Sequence, residues 1–191
     1  MVAGYGVVSC LAPPIFRAAV AVAAIGTTLV WSRGVRKASG VVGLCVISMP
    51  LAASLQFIAG FPMRLAASAI AARLLGASGA GVTAEGTGLR WSGGLIEVDV
   101  PCSGIRMLWA GLYLALAAAC LCDAGVRRTC AVCVAAVVAV VLGNALRTAG
   151  LFYLEAGLVP VPAAAATAMH AGVGLVVFAG IAGVTFLCAR W

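Results

Sequence analysis

Residues 130–150 read Cys130-Ala-Val-Cys-Val-Ala-Ala-Val-Val-Ala-Val-Val-Leu-Gly-Asn-Ala-Leu-Arg-Thr-Ala-Gly150. Almost every side chain in this run is apolar or small. As a helix rising 1.5 Å per residue it covers about 30 Å, the depth of a bilayer's hydrocarbon core. Four further stretches have the same character, at about 15–31, 41–59, 103–122 and 170–189. The expected fold class is therefore an all-α polytopic membrane protein with about five transmembrane helices.

Composition agrees. Of the 191 residues, 64% are hydrophobic and 9% charged, and the mean hydropathy is +1.19. Soluble domains carry about a quarter charged residues, which excludes an array of such domains. One integral membrane domain spanning residues 1–191 is expected. The N-terminus has no early positive charge and makes a poor signal peptide, so the first apolar helix is expected to stay in the mature protein. Residues 1–14, broken by Pro13 and Pro14, are expected to form a short surface or re-entrant piece.

The formal charge is +7. The basic residues lie beside hydrophobic segments, so they point to topology and not to a nucleic-acid partner. Arg33, Arg36 and Lys37 fall in the connection 32–40, and Arg127 and Arg128 in the connection 123–129. The positive-inside rule places both connections in the cytoplasm. The N-terminus, residues 60–101 and the link 151–169 are then outside, and the C-terminus is inside. The outside segments hold Glu85, Glu97, Asp99 and Glu155, four of the five acidic residues.

The long outer segment has two expected parts. In 61–75, Leu65, Ala69, Ala72 and Leu75 share one helical face while Arg64, Ser68 and Arg73 lie toward another, as in an amphipathic interfacial helix. A short additional span is the alternative; two arginines at membrane depth count against it. Residues 89–91 and 95–100, around Ser92-Gly93-Gly94, alternate with period two and read as a small β-hairpin. The second strand delivers the chain to Pro101-Cys102.

Polar residues at membrane depth are functional candidates. Cys102 is expected at the first turn of the third helix, where the positive end of the helix dipole favours a thiolate. Arg106, four residues on, is expected to share its face. Asn144 and Arg147 stand near the outer end of the fourth span. His170, the single histidine, is expected to open the fifth. Counting spans brings Cys102, Arg147 and His170 to one level. Taken singly each has an ordinary alternative: a small interfacial residue for Cys102, a snorkelling anchor for Arg106 or Arg147, a helix-packing amide for Asn144, a polar anchor for His170.

Pro101-Cys102-Ser103-Gly104-Ile105-Arg106, followed by Leu108, resembles the signature of the exosortase/archaeosortase family. Gly143-Asn144-Ala145-Leu146-Arg147 resembles its Asn-x-x-Arg segment, and His170-x-Gly172 its His element. The resemblance covers about 61–178, which is expected to be the catalytic core. It implies a membrane-embedded cysteine transpeptidase facing the outer side of the cell membrane. The implied partners are membrane lipids and exported proteins ending in a short motif such as Pro-Glu-Pro, a transmembrane helix and a basic cluster. It implies cleavage near the motif and transfer to a new anchor, with Cys102 as nucleophile, Arg147 and His170 as the other catalytic residues, and Arg106, Asn144 and Ser103 in support. Asn144 is expected to orient Arg147. No cofactor is expected. Many members have further N-terminal spans, about two of which are expected to be absent here, and that bears on substrate handling more than on the core chemistry.

Other classes remain. Cys120, Cys122, Cys130 and Cys133 flank a basic loop, which suits a thiol-redox protein or, by count, a four-thiolate zinc site. The spacing is not standard for zinc, and apolar neighbours favour helix packing. A transporter or scaffold subunit would use the many Ala and Gly residues for close packing. A rhomboid-like serine protease is disfavoured because Ser103 has no motif of its own.

Overall fold

The structure, a computed structural model, describes residues 14–49, 52–160 and 162–190. Helix α1 (Pro14–Ile47) is bent at Gly34, whose φ of 77° and ψ of 156° are outside helical values. Glycine takes that conformation without the Cβ clash other residues meet. The two halves fold back on each other there, since a Cβ on Gly26 would lie 3.5 Å from Val42. Helix α2 (Ala52–Ala77) follows. Next come three short strands, β1 (Thr83–Glu85), β2 (Gly88–Trp91) and β3 (Gly94–Glu97), in an antiparallel sheet of order β1-β2-β3. A 3-10 turn (Val100–Ser103) leads into α3 (Ile105–Leu121), α4 (Val126–Glu155) and α5 (Ala163–Arg190).

Three helices are long and apolar enough to cross a membrane, over Ala53–Ala77, Val126–Glu155 and Thr167–Arg190. Phe16–Ser32 and Ile105–Leu121 are shorter apolar helices. Leu175, Val176, Val184, Phe186 and Leu187 are exposed along α5. An apolar surface of that extent belongs against lipid and not water. The expectation for residues 1–14 falls, apart from Pro14, outside the described residues.

Several expected boundaries move. The second span, expected at 41–59, is divided: α1 stops at Ile47, just before Pro50, and α2 starts at Ala52. Proline disfavours helical backbone in the residue before it, which accounts for a boundary here. Residues 61–75 are helical as expected but continue from 52, through Pro62, as the second half of α2. Part of their polar face is covered by the sheet and its flanking turns: Ser68 Oγ donates to Gly86 O at 2.8 Å and Arg64 Nη1 to Val98 O at 3.4 Å, while Arg73 stays exposed. The expected hairpin is β2–β3, but its second strand ends at Glu97 and does not run to 100, where the 3-10 turn has begun; β1 adds a third strand that its three exposed residues gave no pattern to reveal.

Helices α4 and α5 also extend into what reads as a loop. α4 continues to Glu155 and α5 begins at Ala163, so the link 151–169 shrinks to 156–162. His170 therefore lies about two turns inside α5 and does not open it.

Two apolar clusters hold the elements together. At one end Ala71, Ala72 and Leu75 of α2, Val82, Leu89 of β2, and Ala149 and Phe152 of α4 form a buried core. Trp91 meets Phe152 edge-on with centroids 5.8 Å apart, fastening the sheet to the end of α4. At the other end Ala115, Ala118, Val132, Ala136 and Ala189 pack closely, as small residues allow where helices must meet without a hydrophobic drive. Cys122 and Cys133 pack on this second cluster. There too Ser39 Oγ bonds Ala124 O at 3.4 Å, and Arg128 Nη2 donates to Ala189 O at the end of α5. The basic connections 32–40 and 123–129 thus share one end of the bundle. α4 carries the chain about 45 Å to the other.

Candidate active site

At the sheet-bearing end lies a cleft of about 550 Å³. Leu95 to Asp99 form one wall, with Cys102 beyond them; Arg147, Thr148 and Glu155 of α4 and His170 of α5 contribute the rest of the polar lining. Cys102, Arg147 and His170, separated by 45 residues or less of sequence at each step, therefore face one space.

Cys102 is not on α3. It belongs to the 3-10 turn, and Gly104, with φ 81° and ψ 0°, separates that turn from the helix. The shared helix face expected for Cys102 and Arg106 is lost at this left-handed residue. Arg106 is exposed and outside the cleft lining. The turn is held by its own bonds: Cys102 N donates to Asp99 O at 2.8 Å. Asn144 Nδ2 donates to Cys102 O at 3.0 Å. Asn144 thus holds the turn carrying Cys102, in contrast to the expected partnership with Arg147. A Cβ at Gly104 would stand 2.8 Å from Asn144 Cγ, so this position needs glycine for both its backbone angle and the space.

Ser103 is buried beside Cys102. Its Oγ bonds Gln56 Oε1 at 3.1 Å and lies 3.5 Å from Ile105 N. The chain has a single asparagine and a single glutamine, and both brace this short loop. Gln56 was the missed signal: it is an uncharged polar residue in an otherwise apolar stretch, where a hydrogen-bond role is the default reading.

Arg147 runs along α5, where a Cβ on Gly174 would lie 3.4 Å from its Nε. That Nε is buried without a hydrogen-bond partner. Among the described residues Arg147 forms no ion pair. Asn144 Oδ1 is likewise buried and unbonded. Arg64 and Arg128, outside the cleft lining, each have a buried Nε in the same state, so the feature is not peculiar to the cleft. His170 Nε2 stands 3.1 Å from Glu155 Oε1. Glu155 is the functional neighbour that reading the link as a loop concealed, since it forms the last turn of α4.

Chemically the cleft gathers a thiol, an unpaired guanidinium and a carboxylate-supported imidazole. Among the described residues no other cysteine lines it. Among the described residues no three His, Cys, Asp or Glu side chains are grouped to hold a metal ion.

The fold is thus a bundle of apolar helices with a sheet-capped cleft that brings together a thiol, a guanidinium and an imidazole. The chain matches the family of transmembrane exosortases, Exosortase_EpsH, over residues 2–187, and belongs to that family. No curated protein and no solved structure matches it.

Proposed function

We propose that the protein is a membrane cysteine transpeptidase that cleaves the C-terminal sorting tail of exported proteins at the outer face of the cell membrane. The observation that carries this reading is the meeting of Cys102, Arg147 and His170 on one cleft, in a chain of the exosortase family.

In the proposed reaction Cys102 gives its proton to His170, and its Sγ attacks the scissile carbonyl carbon. Arg147, having no internal counter-ion, takes the negative charge that develops on the carbonyl oxygen. The C–N bond breaks as the imidazolium returns its proton to the leaving amine, and a thioacyl enzyme remains. An acceptor nucleophile then loses its proton to His170 and displaces the thiolate. Glu155 orients the imidazole. Asn144 and Ser103 keep the Cys102 turn in place. The acceptor would be the new anchor; water would give simple proteolysis.

The test is co-expression with exported proteins ending in a motif, an apolar helix and a basic cluster, read by intact mass. Cys102→Ala is expected to abolish tail removal while the protein still reaches the membrane in normal amount. Tail removal at the wild-type rate in that variant would overturn the reading.

A further inference from the structure

Both outer strands of the sheet pair with β2 alone, and of the two outer edges that of β3 borders the cleft. β3 pairs with β2 alone, in a register that sets Glu97 opposite Gly88 and Leu95 opposite Arg90. Just past the strand, Val98 N donates to Thr87 O at 3.1 Å. In an antiparallel ladder bonded and non-bonded pairs alternate. That bond therefore turns the backbone groups of Gly94 and Ile96 toward β2. The N–H and C=O of Leu95 and Glu97 point the other way. The register of β1 with β2, Thr83 opposite Arg90 and Glu85 opposite Gly88, requires the same parity, because it uses the opposite edge of β2 at those residues.

The cleft lies along this free edge. Side chains of a strand alternate between faces, so a cavity against one face would touch every second residue. This cleft touches Leu95, Ile96 and Glu97 of the strand and then Val98 and Asp99 in succession, together with Leu89 of β2 opposite Ile96, so it borders the strand's edge as well as one face of the sheet. Open edges are normally blunted by shortness, charge, a proline or a bulge. At four residues β3 is short and it ends in the charged Glu97, but residues 94–97 contain neither lysine nor proline. The chain then runs from this edge directly into the turn bearing Cys102.

We infer that the polypeptide being processed binds as an added strand on the free edge of β3, extended, with its scissile carbonyl delivered to Cys102. This rests on the transpeptidase reading above and names how that site takes its substrate. Recognition by strand addition derives affinity from main-chain bonds. Here the outward groups of Leu95 and Glu97 supply two donors and two acceptors. The cleft volume suits a short segment, being in the range that holds a drug-sized ligand, and excludes a folded domain.

The parity supplies the test. Proline is tolerated on an edge strand where its missing N–H faces outward, so Glu97→Pro removes an edge donor and leaves the β2 ladder intact. With a tailed exported protein that the wild type processes, Glu97→Pro is expected to slow tail removal by about tenfold or more. Glu97→Gln keeps the backbone N–H, so it is expected to lose clearly less than Glu97→Pro; an equal loss in the two would make the side chain the contact and would overturn strand addition. Labelling of Cys102 by a small thiol reagent is the folding control, and should be unchanged in both. A second arm needs no enzyme variant: N-methylation at successive residues of a synthetic tail peptide should impair processing at every second position near the cut. Equal processing by Glu97→Pro and wild type, or N-methyl effects without alternation, would overturn strand addition while Cys102→Ala remained inactive. An active Cys102→Ala would instead remove the transpeptidase reading, and strand addition with it.

Discussion

Arg128 and Arg147 sit on the same helix, near its two ends, and their surroundings are opposite. Arg128 gives Nη2 to Ala189 O at the C-terminus of α5. There the cation meets the negative end of a helix dipole as well as an open carbonyl. Arg147 lies beside a glycine and lines the open cleft; its Nε, like that of Arg128, is buried without a hydrogen-bond partner. Arg128 still uses one guanidinium nitrogen to close the bundle. Arg147 makes no hydrogen bond or ion pair among the described residues, and under the proposed reaction it is the cation available to developing charge. In a membrane protein the presence of an arginine near a helix end therefore says little. What separates the two is whether the guanidinium is bonded to the protein and whether it borders the cleft.

The largest expected effect breaks this contrast directly. Arg147→Ala should lower tail processing by about 10²–10³-fold, the usual loss for one oxyanion-stabilising donor, with little change in thermal unfolding in detergent. Arg147→Lys should recover only part, because an ammonium lacks the planar fork. Arg128→Ala should do the reverse. Losing a charge-assisted bond costs about 1.5–3 kcal/mol, so unfolding comes at lower temperature while processing per folded molecule is kept. Equal losses of processing in the two variants would erase the distinction.

A smaller effect tests whether the cleft end is held as firmly as the geometry demands. Gly104→Ala places a methyl against Asn144 and forces a left-handed backbone on a residue with a Cβ. The backbone alone costs about 1–2 kcal/mol, and overpacking adds about 1–3 kcal/mol. Unfolding in detergent should therefore fall by several degrees. Processing should drop as well, since the displaced amide is the one bonded to Cys102 O. A variant with normal unfolding and normal processing would mean that the Asn144 bond does not hold the nucleophile.

The two ends were not equally legible from the sequence. The apolar run at 130–150 needs only length and hydropathy to identify a membrane helix, and the basic connections need only a count of arginines and lysines. Cys102, Arg147 and His170 were reachable because topology alone places them at one level. The finer structure of the cleft was not. Glu155 and His170 are polar residues inside helices α4 and α5, and polarity at the end of an apolar run looks like a loop. Gly104 separates Cys102 from Arg106 through one backbone angle, while a proline before the cysteine reads as the start of a continuous helix. Pro62 reads as a breaker, yet α2 passes through it. Gln56 lies far from Cys102 in the chain, and no local pattern links it to Ser103. Local periodicity reports which face an element buries, whereas these features are contacts between elements.

The smallest expected effect comes from a third arginine, and it completes the comparison. Arg90 on β2 pairs with Glu85 on β1, both of them in water. The hydrogen bond from Arg90 holds the Glu85 carboxyl below its ordinary value, with the arginine's charge acting in the same direction. A carboxyl lowered in the folded state stabilises above its unfolded value, and that contribution fades as pH falls through the lowered folded value. The window is therefore acidic, beginning near the usual glutamate range and extending below it. Water and salt screen the pair throughout. Glu85→Gln should leave processing within about twofold at neutral pH, and any difference in unfolding from the wild type should vanish on acidification or at high salt. A loss of processing in Glu85→Gln comparable to that of Arg147→Ala would mean that a solvated pair at the far edge of the sheet controls the cleft, and would defeat the claim that an unsatisfied cation is what marks the site.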